Sequence, residues 1–367
     1  MEGVDQVSGD HRGQGAPAKP VHWLSLLCSS RSVNVINKDP ELPESLFLKN
    51  APIIIAGSGR SGTTWVLDAI ARANNLRTIF EPLNPFGVPS AKHFANRYVR
   101  DDEDFPELKL FMDKVFSGNL KSLWVNYRIR PDRLRPNMNK PEPLRQKLGS
   151  LKYNYKIFAT NYLRYHKDKS KSLAVKFIRS NLMLGWLSAN YGAKTLLVVR
   201  HPGAVIASKI RLGGPNWRYE PVLKQYCQDQ QLVRDHLHKF KCIIERSLSP
   251  VEGHAVVWCI ENALQTCNDE RNGQTIVFYE DLFINSNTEW TRIIKSLDLM
   301  QLPDEEILVQ PSQQVSKEMR NKIFDSRQVG KWMNDFSKKQ LIELDRILKI
   351  FNVSFYKAFE PMPIRKT

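Results

Sequence analysis

An α/β fold, with a central, mostly parallel sheet flanked by helices on both sides, is what this sequence predicts, and three observations predict it. A strand-like run, Ile53-Ile54-Ile55-Ala56, leads into Gly57-Ser58-Gly59-Arg60-Ser61-Gly62 and a helix start at Thr63-Thr64-Trp65. Further short β-rich runs recur downstream, separated by helical patterns. These runs lack polar alternation, which is the pattern of strands covered on both faces.

Taken in order, residues 1–20 are rich in Gly, Asp, Gln and Pro with almost no apolar content, so a disordered arm is expected there. Residues 21–367 are expected to form one domain, since 42% hydrophobic and 25% charged residues in a 367-residue chain is an ordinary globular composition. Strands are expected at Pro52–Ala56, Arg77–Phe80, Leu173–Ile178, Lys194–Val199 and Gln274–Tyr279. The helix after the first loop carries Val66, Ile70 and Ala73 at helical spacing, and a later one carries Val256, Ile260, Ala263 and Cys267; both stripes read as core. Between the second and third strands lies an insertion, about 82–172, with eight Lys/Arg against two Asp/Glu between positions 121 and 150. Pro131, Pro136, Pro141 and Pro143 argue against one regular helix there and for a shaped basic lid or wall, with a solvated basic surface as the alternative.

The net charge of +16 calls for a polyanion in the biology without naming it: nucleotide, acidic glycan, nucleic acid or anionic membrane. No apolar run reaches the roughly 18 residues a membrane span needs, and Trp23 to Cys28 is too short for that or for a secretory leader, so a soluble, cytoplasmic protein is expected, with attachment to a membrane through a partner left open. Five cysteines without C-x-x-C pairs imply neither a disulfide framework nor a structural metal.

The first loop almost fits the triphosphate pattern G-x-x-x-x-G-K-[ST]. Gly57, Gly62 and Thr64 match, but Thr63 stands where the lysine belongs, and a basic residue appears three positions earlier as Arg60. Glycines that let the chain fold back and N–H groups at a helix start need only a phosphate, so a P-loop-like cradle for another phosphate ester is expected. The fourth strand ends in Arg200-His201-Pro202, and Ser208 follows eight residues after Arg200. A guanidinium fork and a hydroxyl at the ligand-binding edge of a parallel sheet suit a second phosphate. Two separate phosphates point to an adenosine 3′,5′-bisphosphate moiety.

On these residues the chain resembles the sulfotransferases that use 3′-phosphoadenosine 5′-phosphosulfate (PAPS). Gly59-Arg60-Ser61-Gly62-Thr63-Thr64-Trp65 resembles the family's 5′-phosphosulfate loop in its arginine form. Val198-Val199-Arg200-His201-Pro202 through Ser208 resembles the 3′-phosphate motif, with His201 where aspartate is usual. Phe278-Tyr279-Glu280-Asp281-Leu282 resembles the strand-end motif. Arg327-Gln328-Val329-Gly330-Lys331-Trp332-Met333-Asn334 resembles the C-terminal nucleotide segment in a shorter form. Ile79-Phe80-Glu81-Pro82-Leu83 and the arginine-type loop are closer to carbohydrate and tyrosylprotein sulfotransferases than to cytosolic enzymes, whose Lys-x-His motif is not found.

The resemblance implies PAPS as donor, no metal, and a hydroxyl acceptor, with a glycan or glycolipid favoured over a small phenol and no nucleic-acid partner. It implies Glu81 as general base, with Arg60 and Lys176 compensating developing charge. A lysine inside the apolar run Ala174-Val175-Lys176-Phe177-Ile178 is independently costly to bury without an anion, unless it snorkels outward. The backbone of Ser61, Gly62, Thr63, Thr64 and Trp65 is expected to hold the 5′ side, Arg200 and Ser208 the 3′-phosphate, and Tyr279, Lys331 and Ser316 to complete the nucleotide site. Trp65 either stacks on the adenine or packs behind the loop. His93 is the alternative base, and His254 reads as a packing residue. Two other classes compete: a P-loop kinase or NTPase, disfavoured by Thr63, and a non-catalytic basic binder of nucleic acid or anionic lipid. Neither explains Glu81, Arg200 and Ser208 together.

Overall fold

A computed structural model describes residues 51–120, 170–266, 274–310 and 329–364, with a few further positions between 121 and 169. Five strands form one sheet: β1 (Ile53–Ala56), β2 (Arg77–Phe80), β3 (Leu173–Phe177), β4 (Lys194–Val199) and β5 (Gln274–Phe278), in the order β2-β3-β1-β4-β5. Every pairing is parallel. The helices used below are α1 (Thr63–Ala73), α2 (Pro106–Phe116), α3 (Leu184–Tyr191), α4 (Pro202–Leu212), α5 (Glu220–Gln228), α6 (Pro250–Thr266), α7 (Ser286–Ser296) and α8 (Lys338–Ile350).

The absence of polar alternation has its explanation in two cores. Ile54 and Ala56 of β1, Val175 and Phe177 of β3, and Leu197 and Val199 of β4 pack on one side with Trp258 and Ile260 of α6. Their neighbours Ile53, Ile55, Ala174, Leu196 and Val198 pack on the other with Val66 and Ile70 of α1 and Trp290 and Ile293 of α7. Both faces of each central strand are therefore apolar, as a parallel sheet between helices requires. Val256, Ile260 and Ala263 are core as expected, whereas Ala73 is only half-buried and Cys267 lies outside the described residues.

Because all five strands run the same way, the residues following each of them emerge at one edge. That edge collects the loop after β1, Glu81 after β2, Ile178 to Ser180 after β3, Arg200 and His201 after β4, and Tyr279 and Glu280 after β5. It is the edge where α/β sheets bind ligands. The expected arm at 1–20, the proline-rich centre of the insertion and Ser316 lie outside the described residues. Among the described residues, no helix is long and apolar enough to cross a membrane. Cys227, Cys242 and Cys259 are free thiols.

Candidate functional site

The loop after β1 is shaped by two left-handed residues, Arg60 at φ 79° and Gly62 at φ 90°. Gly62 is demanded twice: by that φ, and because a Cβ there would lie 2.2 Å from the Tyr279 ring. The Ser61 N–H donates to Ser58 O at 3.0 Å and the Trp65 N–H to Gly62 O at 2.9 Å, so both are spent within the loop. The N–H groups of Gly62, Thr63 and Thr64 have no hydrogen-bond partner among the described residues. They stand at the positive end of the 11-residue α1, where an anion is favoured. The Ser61 hydroxyl is buried and also unpartnered. Thr63, in the lysine position, is buried beneath the loop.

Trp65 packs behind the loop. Its ring stacks on Phe283 at 4.9 Å, meets Trp290 edge-on at 5.7 Å, and its Nε1–H donates to Leu308 O at 3.2 Å. The indole is therefore part of the core under α1 and takes no place beside an adenine in this arrangement.

Glu81 and Lys176 are brought together as a buried ion pair, Nζ to Oε1, with side-chain exposures of 10% and 4%. Register explains the meeting: Lys176 lies opposite Ile55 of β1 on one side and Phe80 of β2 on the other, and Glu81 follows Phe80. The Glu81 N–H donates to Lys176 O at 2.9 Å, fastening the two backbones as well. Outward snorkelling is overturned: Lys176 stays in the core edge with its ammonium 4.5 Å from the Phe80 ring centroid. Burial lowers its pKa, and Glu81 works in the opposite direction. Glu81 itself sits at φ 43°, a left-handed conformation that costs a non-glycine residue about 1 kcal/mol or more and is typical of functional positions. Among the described residues, its second oxygen, Oε2, has a single hydrogen-bond contact, a long one to Asn84 Nδ2 at 3.5 Å.

Arg60 reaches across the edge. Its Nε–H donates to Ser208 Oγ at 2.9 Å, and its carbonyl accepts from Arg200 Nη1 at 3.2 Å. Residues expected at the 5′ and 3′ ends of the ligand are thus in direct contact. Although Arg60 is exposed overall, dehydration of its guanidinium and then the neighbouring Arg200 lower its pKa. Arg200 lies 4.5 Å from the Tyr279 ring centroid, and its Nε is buried without a hydrogen-bond partner among the described residues. Arg179, two residues after β3, is a further cation; burial lowers its pKa against the pull of Glu81 and Glu261, and its Nη1 has no hydrogen-bond partner among the described residues.

His201 takes over the job that an aspartate would do. Its Nδ1 caps α4 by accepting from the Gly203 N–H at 3.0 Å, which leaves the proton on Nε2 to donate to Lys357 O at 3.0 Å. The ring stacks on Trp332 at 4.2 Å, and burial lowers its pKa to about 3. Glu280, from the strand-end motif, accepts from the His201 N–H and the Tyr356 hydroxyl, clamping the ends of β4 and β5 together. Lys331 is exposed and begins the short turn Lys331–Asp335, whose Trp332 anchors it over His201 and Gly203. His93 is exposed at the end of the turn Pro89–His93. His254 is buried edge-on to Tyr219 at 5.3 Å, and burial lowers its pKa to about 4.

Sequence reasoning missed the support beneath the loop. Ser58 donates to Glu261 of α6 and accepts from Asn262 Nδ2 at 2.8 Å, while the same carboxylate accepts from Tyr226 at 3.3 Å. Asn181 donates to Glu261 O at 3.0 Å, tying the segment after β3 to the same point. A signal existed: Glu261-Asn262 interrupts the apolar run Val256 to Leu264, and a carboxylate in such a run needs partners.

No family model and no curated protein matches the chain. Among solved structures it is similar to the sulfotransferase domain from the Synechococcus PCC 7002 olefin synthase, at 17% identity and a TM-score of 0.42, over 83% of this chain and 96% of that one. It is also similar to the sulfotransferase domain from the curacin biosynthetic pathway, at 15% identity and a TM-score of 0.41, over 83% of this chain and 98% of that one. Both likenesses are distant, and the functional reading rests on the side chains.

Proposed function

We propose that this chain is a sulfotransferase that moves a sulfuryl group from PAPS to an acceptor hydroxyl, with Glu81 as base. The observation that carries the proposal is the gathering at one sheet edge of unpaired donors, cations and the Glu81 carboxylate. The free N–H groups of Gly62, Thr63 and Thr64, the orphaned Ser61 hydroxyl and the orphaned Arg200 Nε are donors awaiting an acceptor, as a phosphorylated ligand would provide. Arg60, Lys176, Arg179 and Arg200 supply the positive charge, which fits an anion carrying several charges without a metal.

In this reading the α1 amides and Arg60 hold the 5′ side, Arg200 with Ser208 holds the 3′-phosphate, and Tyr279 and Lys331 border the nucleotide. The bound donor supplies an activated sulfuryl group on a phosphate leaving group. Glu81 Oε2, which is only loosely held, takes the proton from the acceptor hydroxyl. Lys176 Nζ and the Arg60 guanidinium meet the negative charge that grows on the transferred group and the leaving oxygen. Burial lowers the Lys176 pKa, so a second negative charge beside its ammonium would favour the charged form that meets it. The acceptor we propose is a glycan or glycolipid hydroxyl, from the Glu81-Pro82 motif and the basic insertion.

An acceptor screen with radiolabelled PAPS tests this, comparing wild type with Glu81→Ala. Label should pass to a hydroxyl acceptor in wild type and fall by at least about a hundredfold in the variant. Full activity in Glu81→Ala would move the base elsewhere, with His93 next to be tried.

A further inference from the structure

We infer that Trp217 is the platform of the acceptor subsite, and that the acceptor carries its hydroxyl on a six-membered ring with a face to stack; the inference rests on the sulfuryl-transfer reading above. Six tryptophans are described, and five of them, Trp65, Trp186, Trp258, Trp290 and Trp332, are 5% exposed or less. Trp217 alone among the described tryptophans is not buried. Its indole N–H makes no hydrogen bond among the described residues, so the ring is held by packing and keeps a polar handle free.

Its position is specific. A Cβ at Gly59 would lie 2.8 Å from Trp217 Cζ3 and 3.8 Å from Ile178 Cδ1, so the indole edge, the donor loop and the segment two residues beyond Lys176 meet at one point. Only a residue without a side chain lets the ring settle there. The Arg60 guanidinium lies 5.8 Å from the ring centroid on the loop side. The tryptophan thus borders the transferring end of the site, next to Arg60 and the end of β3, whereas Tyr279, Trp332 and Lys331 border the other motifs.

The segment that carries it is built for this placement. Gly213 at φ 57° and Gly214 at φ 78° turn the chain at the end of α4, and the short turn Pro215–Trp217 then returns it over the loop. A partly exposed indole beside a cation suits stacking by the face of a sugar or of an aromatic ring. An open-chain alcohol would gain little from it.

The test uses full-length protein with labelled PAPS and three acceptor sets: monosaccharide glycosides, phenols and open-chain alcohols. Wild type is expected to turn over a ring acceptor in preference to open-chain alcohols, and the two ring sets tell a sugar from an aromatic source. Trp217→Ala should raise the ring acceptor's KM about tenfold, and Trp217→Phe should recover most of it. The dissociation constant for adenosine 3′,5′-bisphosphate should stay within about twofold in both variants. Preference for open-chain alcohols, transfer to no ring acceptor, or an unchanged ring-acceptor KM in Trp217→Ala would each overturn the inference. A matching rise in the nucleotide constant would instead make Trp217 a support of the donor loop and overturn it too. Loss of nucleotide binding by wild type would overturn the donor reading itself, which the titration distinguishes.

Discussion

Replacing Glu81 by Gln removes the carboxylate from a pair whose side chains are 10% and 4% exposed. For exposed pairs the loss would be about 0 to 1 kcal/mol, but here Lys176 would be left as a buried ammonium with no counter-charge, and removal of one partner from a buried pair costs about 3 to 5 kcal/mol. Burial already lowers the Lys176 pKa, and Glu81 is the first group raising it, so the lysine in the variant is driven further toward its neutral form. Loss of that proton softens the penalty and sets the lower end of the range. The assay is urea unfolding at neutral pH for wild type, Glu81→Gln, Lys176→Met and the double variant. Each single variant should be destabilised by about 3 kcal/mol, and the double variant should be less destabilised than the sum of the two, because neither charge is stranded. Single variants within about 1 kcal/mol of wild type, or strict additivity, would refute a coupled buried pair.

Other outcomes follow from the same geometry. Arg60→Ala should weaken adenosine 3′,5′-bisphosphate binding about ten- to hundredfold by calorimetry, the worth of a hydrogen bond to a charged group, with little change in melting temperature because Arg60 is exposed. Ser58→Ala strips buried Glu261 of one donor and Asn262 of one of its two acceptors, and should cost about 1 to 3 kcal/mol in urea unfolding. His201 has a folded pKa of about 3 against an ordinary 6.5, so its contribution is fully present above 6.5 and is lost as pH falls from 6.5 toward 3. Between pH 7 and pH 5 that amounts to about 2 kcal/mol. His254, near 4, acts with the same sign. His201→Asn keeps a capping oxygen and should lose about half of the wild type's acid-side drop in stability, read from melts at the two pH values.

The strands were legible because each is an unbroken apolar run, and a sheet buried on both faces leaves that mark in sequence. β2 and β4 have the expected bounds, Arg77–Phe80 and Lys194–Val199, and the others differ by a single terminal residue. The loop and Glu81 were legible because their residue types fall at strand ends, which a parallel sheet gathers at one edge. Trp65 was ambiguous because a tryptophan after a glycine loop has two apolar destinations, and only the positions of Phe283 and Trp290, more than 200 residues on, decide between them. The role of His201 needed Lys357 and Trp332 in place around it. Trp217 left no periodic signal, since it sits in a three-residue turn whose meaning comes from its contact with Gly59, far away in sequence.

Arginines and free N–H groups at this edge would cradle a nucleotide bisphosphate, with Thr63 in place of a triphosphate lysine. Titration calorimetry of wild type with adenosine 3′,5′-bisphosphate in a chelator, against ATP with Mg²⁺, tests it most directly. Binding of the bisphosphate without metal is expected, and none of comparable strength for ATP with Mg²⁺. Tight ATP binding that needs Mg²⁺, with no binding of the bisphosphate, would contradict it.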